Sequence, residues 1–151
     1  AWERLGSYVS TVNSIPYEKW SMIRFEIETC PPDGPGTGTP GYWKNHPNAW
    51  PVESVTICEE TYTKAEAIAI MNIPRAGDKS RIMFYHLVPA ILNVAAGNDG
   101  SCITGAIDAA DAWMCTFGPV GSEEAHWHGG KVTKDMLNEY NEGNLCAPHR
   151  D

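Results

Sequence analysis

The residues best suited to chemistry in this chain are His126 and His128, in the stretch Glu123-Glu124-Ala125-His126-Trp127-His128. In an extended segment the two rings project to one face, where neighbouring carboxylates complete a zinc or copper site. Helix-borne zinc pairs need i, i+4 spacing instead, so the same stretch also reads as a polar loop with Trp127 as its packing anchor. His46 and His149 each lie beside a proline. With no nucleophile or carboxylate partner visible for either, a hydrogen bond from ring to backbone is the better reading. Gly36-Thr37-Gly38-Thr39-Pro40-Gly41 satisfies G-x-G-x-x-G, but prolines crowd it and Pro47 would truncate the helix that a dinucleotide loop requires. It reads as an extended or flexible linker. Asn98-Asp99-Gly100 starts like a calcium loop, yet too few carboxylates follow, and it reads as a turn. Neither G-x-S-x-G nor H-E-x-x-H occurs. No catalytic residue is assigned and no cofactor is expected.

These groups sit in an acidic chain of 151 residues. Lys plus Arg (11) against Asp plus Glu (19) leaves a net charge of -8, which argues against nucleic acid or an anionic membrane as a partner. No apolar run is long enough to span a bilayer. The tryptophans Trp2, Trp20, Trp43, Trp50, Trp113 and Trp127 are scattered singly, as core anchors or protein contacts are. A sugar-stacking site on Trp43 or Trp50 is the carbohydrate-binding alternative.

The elements that must position them divide into an arm and a body. Residues 21–28 alternate Ile23, Phe25 and Ile27 against Arg24, Glu26 and Glu28, the period of a half-buried strand. A weaker second strand precedes it at residues 8–12. Residues 31–41 form a Pro/Gly linker. Residues 38–51, with three prolines and the rings of Tyr42, Trp43 and Trp50, exclude a long helix and predict a fixed, packed loop. A short strand is expected over 52–58. Helices follow. Thr63 and Glu66 make a capping box for a helix that stops at Ile73-Pro74. Asp78 or Ser80 starts a second, with Ile82, Leu87, Ile91 and Leu92 inward, a kink at Pro89 and Gly97 as its stop. Ser101 caps a third, with Ile103, Ala106, Ile107, Ala110 and Met114 at core spacing. Thr133 caps a fourth, through Met136, Leu137 and Tyr140 to Gly143. The expected fold is α+β: an N-terminal β arm of one or two strands (1–35), joined by the Pro/Gly linker to a mainly helical body of about four helices (36–151).

Cys30, Cys58, Cys102, Cys115 and Cys146 form no C-x-x-C pair, which argues against zinc ribbons and thioredoxin-like redox chemistry. Wide spacing suits long-range disulfides in an oxidising compartment. The number is odd, so one thiol is left for an intermolecular bridge or stays buried and reduced.

Several motifs occur together and in order: Gly38-Thr39-Pro40-Gly41-Tyr42-Trp43-Lys44-Asn45-His46-Pro47 with Ala49-Trp50-Pro51, Leu92-Asn93-Val94, Ser101-Cys102-Ile103, Ala109-Ala110-Asp111-Ala112-Trp113, Pro119-Val120-Gly121-Ser122, and Tyr140-Asn141-Glu142-Gly143 before Cys146-Ala147-Pro148-His149. From about Gly36 to Asp151 the chain resembles a widespread domain of secreted bacterial proteins, marked by a GYWKNHP…AWP opening and a YNNG ending. The resemblance implies an exported bacterial protein and no particular activity. Cys102 and Cys146 match that pattern, whereas Cys58 and Cys115 fall where such domains usually lack cysteine. It therefore implies a Cys102–Cys146 bridge, an added Cys58–Cys115 bridge, and Cys30 left on the arm. Pro89 replaces a small helix former, and Glu142 stands where Asn is common. Residues 1–35 lie outside the resemblance.

The expected function is an extracellular structural subunit that self-assembles, as a filament, through its N-terminal arm, with copies of itself as partners. Ile23, Phe25 and Ile27 form the assembly face, Cys30 is a candidate link to a neighbour, and Thr37 and Thr39 are candidate O-glycan sites. The alternatives are a secreted metal-binding protein or metal-dependent enzyme using His126 and His128, and a carbohydrate-binding module.

Overall fold

The computed structural model describes residues 35–150; the arm, with Ile23, Phe25, Ile27 and Cys30, lies outside the described residues. The described chain is α+β. It runs through a short helix α1 (Pro40–Asn45), a 3-10 turn (Pro47–Ala49), the strands β1 (Ser54–Ile57) and β2 (Glu60–Thr63), and the helices α2 (Lys64–Met71), α3 (Lys79–Ala95), α4 (Thr104–Phe117) and α5 (Lys131–Asn141). Helix α3 is the hub, packed by α4, α5, α1 and α2. Its residues Phe84, Leu87 and Leu92 are fully buried and share one core with Ala110 and Met114 of α4 and Leu137 and Tyr140 of α5.

The stretch expected as a packed loop is in part helical. Thr39 Oγ1 accepts the Tyr42 amide at 3.2 Å, and Pro40 opens α1 with its φ already set for a helix. Pro47 then ends any continuation. Both tryptophans of the stretch are core residues, Trp43 1% and Trp50 6% exposed.

β1 and β2 form a two-residue hairpin with Ile57 opposite Glu60 and Val55 opposite Tyr62. Val55, Ile57 and Tyr62 face the core, Tyr62 edge-on to Phe84 at 5.2 Å, while Thr56 and Thr61 meet on the outer face. Only the first strand is legible in the sequence, because β2 is short and passes directly into the capping box of Thr63 and Glu66. The turn residues Cys58 and Glu59 both have positive φ, 50° and 65°, the left-handed pair of a type I′ turn. Asp111 of α4 holds the turn by accepting the Cys58 amide at 2.8 Å, and the Cys58–Cys115 disulfide ties it to the same helix.

The long helices follow the sequence in their cores and depart from it at their ends. Asp78 caps α3, which runs unbroken through the buried Pro89 to Ala95. Ser101 does not cap α4: its amide is taken by Asp99 Oδ1 at 2.9 Å in the preceding turn, and the N-cap position is Ile103. Thr133 does not cap α5 either. The helix begins at Lys131 after Gly130, which places Thr133 inside its first turn.

The hairpin turn makes a stability prediction. Glu59 is exposed and left-handed without glycine's freedom, which costs ~1–2 kcal/mol, partly offset by glycine's greater unfolded-state entropy. Glu59→Gly is therefore expected to stabilise the protein by about 0.5 kcal/mol, raising Tm by ~1–2 °C in thermal melts. A lowered Tm would mean that the Glu59 side chain stabilises the turn by more than its backbone costs.

Candidate functional site

Residues 36–38, expected as linker, are instead tied by backbone hydrogen bonds on both edges. Gly36 donates to Asn98 Oδ1 at 2.8 Å, and its carbonyl accepts from Asn98 Nδ2 at 3.1 Å. Gly38 donates to Asn93 Oδ1 at 2.7 Å and accepts from Asn93 Nδ2 at 3.0 Å. Between them Thr37 donates to the Pro148 carbonyl at 2.8 Å and accepts from the Arg150 amide at 3.0 Å, a parallel bridge to the C-terminal tail. Every amide and carbonyl of the three residues has a partner. Two asparagine carboxamides thus imitate a neighbouring strand on one edge, and the tail supplies a real one on the other.

α3 and the turn that follows it place those groups. Asn93 lies in the last turns of α3. Gly97 turns the chain back after that helix, so that Asn98 donates to the Asn93 carbonyl at 2.9 Å. Asn93 Oδ1 also accepts Trp43 Nε1 at 3.0 Å, and its Nδ2 donates to Asn141 Oδ1 at 2.9 Å. Asn141 in turn donates to the His86 carbonyl at 3.0 Å. A Cβ at Gly36, where φ is +96°, would lie 2.5 Å from Arg150 Cα, and one at Gly38 would lie 2.7 Å from the Tyr42 ring. Only glycine fits at either position.

The tail is fixed independently. The Cys102–Cys146 disulfide holds it to the start of α4, Ala147 is buried, and Arg150 lies over the Tyr42 ring at 4.3 Å while its Nη1 donates to the Tyr42 hydroxyl at 3.1 Å. The two disulfides join the pairs that the family resemblance implies.

This anchor corrects the assignment of Thr37 as a glycan acceptor. Its side chain is 0% exposed, closed to any transferase in the folded protein. Thr39 is partly exposed, and its hydroxyl caps α1. The sugar platform fails for the same reason of burial, since Trp43 and Trp50 present no free face.

Of the histidine pair, His128 is already engaged by its neighbours. The rings of His126 and His128 stand nearly perpendicular with centroids 6.0 Å apart. His128 stacks on Phe117 at 4.0 Å and bonds Glu124 Oε2 at 2.9 Å through Nε2. That bond from His128, with the His126 amide, holds the Glu124 carboxyl below the ordinary range. Among the described residues no three His, Cys, Asp or Glu side chains gather where a metal could sit. The loop is anchored from behind: Asp78 accepts the amides of Glu123 and Glu124, both at 3.1 Å, and Ser80 Oγ accepts that of Gly121 at 2.9 Å. Burial pushes the Asp78 carboxyl up, but the hydrogen bonds from Ser80 and these amides outweigh it and hold its pKa below the usual value. A cleft of about 480 Å³ opens beside this loop, with Arg75, Arg81 and Glu123 on its walls. His46 behaves as a structural ring, donating from Nδ1 to the Tyr42 carbonyl at 2.7 Å and stacking on Tyr42.

His86, on α3, is a titratable group that belongs to no motif. Its Nδ1 is buried with no hydrogen-bond partner among the described residues. Burial first, then the cations Lys134 and Arg75, push its pKa down to about 4 against the opposing pull of Asp135.

Two measurements test these assignments. Asn93→Ala strips the partners from both Gly38 groups, Trp43 Nε1 and Asn141 Oδ1, and is expected to cost about 3–5 kcal/mol in urea unfolding. A loss below about 1 kcal/mol would make the carboxamide dispensable. For His86 the folded pKa lies below the unfolded value of 6.5, so its neutral form contributes stability fully above that pH and loses it as pH falls toward about 4. The loss is about 3 kcal/mol over that window. His86→Gln should flatten this limb of the stability–pH curve; an unchanged limb would place the acid sensitivity elsewhere.

Comparison with protein-family models, curated proteins and solved structures finds no match to this chain.

Proposed function

We propose that this chain is an exported bacterial structural subunit, of the secreted domain family its motifs resemble, which assembles with copies of itself into an extracellular filament through the N-terminal arm. The observation that supports this reading is the anchor at residues 36–38. A loose tether needs no fixed root, whereas here the residues that follow the arm are clamped on both edges by Asn93, Asn98 and the disulfide-held tail. The body has a core of its own among the described residues, and the alternating pattern of residues 21–28 suits strand pairing with a neighbour. Repeated head-to-tail, such a contact makes a filament when its rotation does not close. Two long-range disulfides suit an oxidising exterior, and no described helix is long and apolar enough to cross a membrane. Cys30, the one cysteine outside the two bridges of the body, would fasten the arm covalently to the next subunit.

Electron microscopy of the full-length protein, with and without reductant, tests the reading against a chain lacking residues 1–29. Fibres from the full chain and dispersed particles from the shortened one are expected. Equal fibres from both, or none from the full chain at any concentration, would overturn it.

A further inference from the structure

We infer that the outer edge of β1 is the surface that receives the arm, residues 21–28 of a second copy adding to it as a third strand; this rests on the self-assembly reading. The ladder fixes which groups are available. The Lys64 amide bonds the Glu53 carbonyl at 2.9 Å, so residues 53, 55 and 57 turn their backbone groups toward β2, while Ser54 and Thr56 turn theirs outward. Among the described residues no backbone hydrogen bond satisfies Ser54 or Thr56 on that outer side. The edge of β2 is less open. There the Thr63 amide is taken by Glu66 Oε1 at 2.9 Å and Thr63 closes as the cap of α2, which leaves Thr61 alone.

β1 also lacks the usual protection of a free edge. It reads Ser-Val-Thr-Ile, without charge or proline, and Ser54 and Thr56 are both exposed; an edge left to solvent normally carries such a guard. A two-stranded hairpin is a marginal sheet, and a third strand with an apolar face completes it. Residues 21–28 have the matching pattern. Ile23, Phe25 and Ile27 would extend the buried face of Val55 and Ile57, and Arg24, Glu26 and Glu28 would join Ser54 and Thr56 on the polar face.

A second copy is the occupant that the self-assembly reading requires; pairing of the arm with its own β1 would leave the full chain monomeric.

Proline substitution in the full-length protein reads out the edge directly. Thr56→Pro removes an outward amide and leaves the hairpin ladder whole; Thr61→Pro does the same on the edge of β2. The expected result is loss of fibres in electron micrographs and a monomeric mass by light scattering for Thr56→Pro, with wild-type fibres for Thr61→Pro. Circular dichroism and a melt check folding, and Ser54→Pro, which blocks the same edge, replaces Thr56→Pro if that variant unfolds. Fibres from a folded edge-blocked variant would overturn the assignment to β1, whether or not Thr61→Pro assembles. If deletion of residues 1–29 abolished fibres while that variant kept them, the arm would dock elsewhere and the self-assembly reading would stand. If the deletion too left fibres intact, both would fall.

Discussion

One carboxamide organises this molecule. Asn93 is fully buried, and its oxygen and nitrogen together engage the leading segment at Gly38, the indole of Trp43 on α1 and the side chain of Asn141 at the end of α5. A buried amide left partly unpaired is costly, so those parts must arrive together or the site is worse than an apolar one. That requirement links residues far apart in sequence, and it gives a physical reason for the simultaneous presence of the Gly-Tyr-Trp, Leu-Asn-Val and Tyr-Asn motifs in one chain. The hydrophobic core around α3 supplies most of the burial. The carboxamide network selects the arrangement.

The groups with most chemical promise serve packing. His128 lies flat on Phe117, Glu124 gathers His128 and the His126 amide, and Trp127 has Lys79 and Lys134 near its ring at 5.6 and 5.7 Å. Trp113 Nε1 donates to the Trp127 carbonyl at 2.6 Å, which keeps this loop against α4. Glu124 and His128 are spent on each other and on the backbone of the loop.

What the sequence made legible was local. The capping box of Thr63 and Glu66, the cap at Asp78, the stop at Gly97 and the short strand within 52–58 each depend on residues within a few positions, and each is in the structure. The start of α1 was written in the same local code, Thr39 before Pro40, but the surrounding prolines masked it. β2 and the start of α5 left no such mark: one strand is four residues long and merges into a cap, and the helix begins with no side-chain cap at all. The anchor was beyond local reading altogether. Gly36 and Gly38 meet asparagines 62 and 55 positions away, and a Gly-Thr-Gly run bordered by prolines looks the same whether it is clamped or free.

The pairing of the leading segment with the tail bears on the order of folding. Arg150 and Tyr42 are 108 positions apart, and the Thr37 bridge spans a similar length of chain. A chain made N-terminus first presents residues 36–38 early and their partners at 148–150 much later. The helices and hairpin can form from nearer contacts in the meantime, but the clamp on residues 36–38 closes only once residues 148–150 are available, held near the start of α4 by the Cys102–Cys146 bridge. A chain that has not yet reached residue 148 therefore leaves Thr37 without its partners, and the clamp on residues 36–38 is one of the late contacts of this domain.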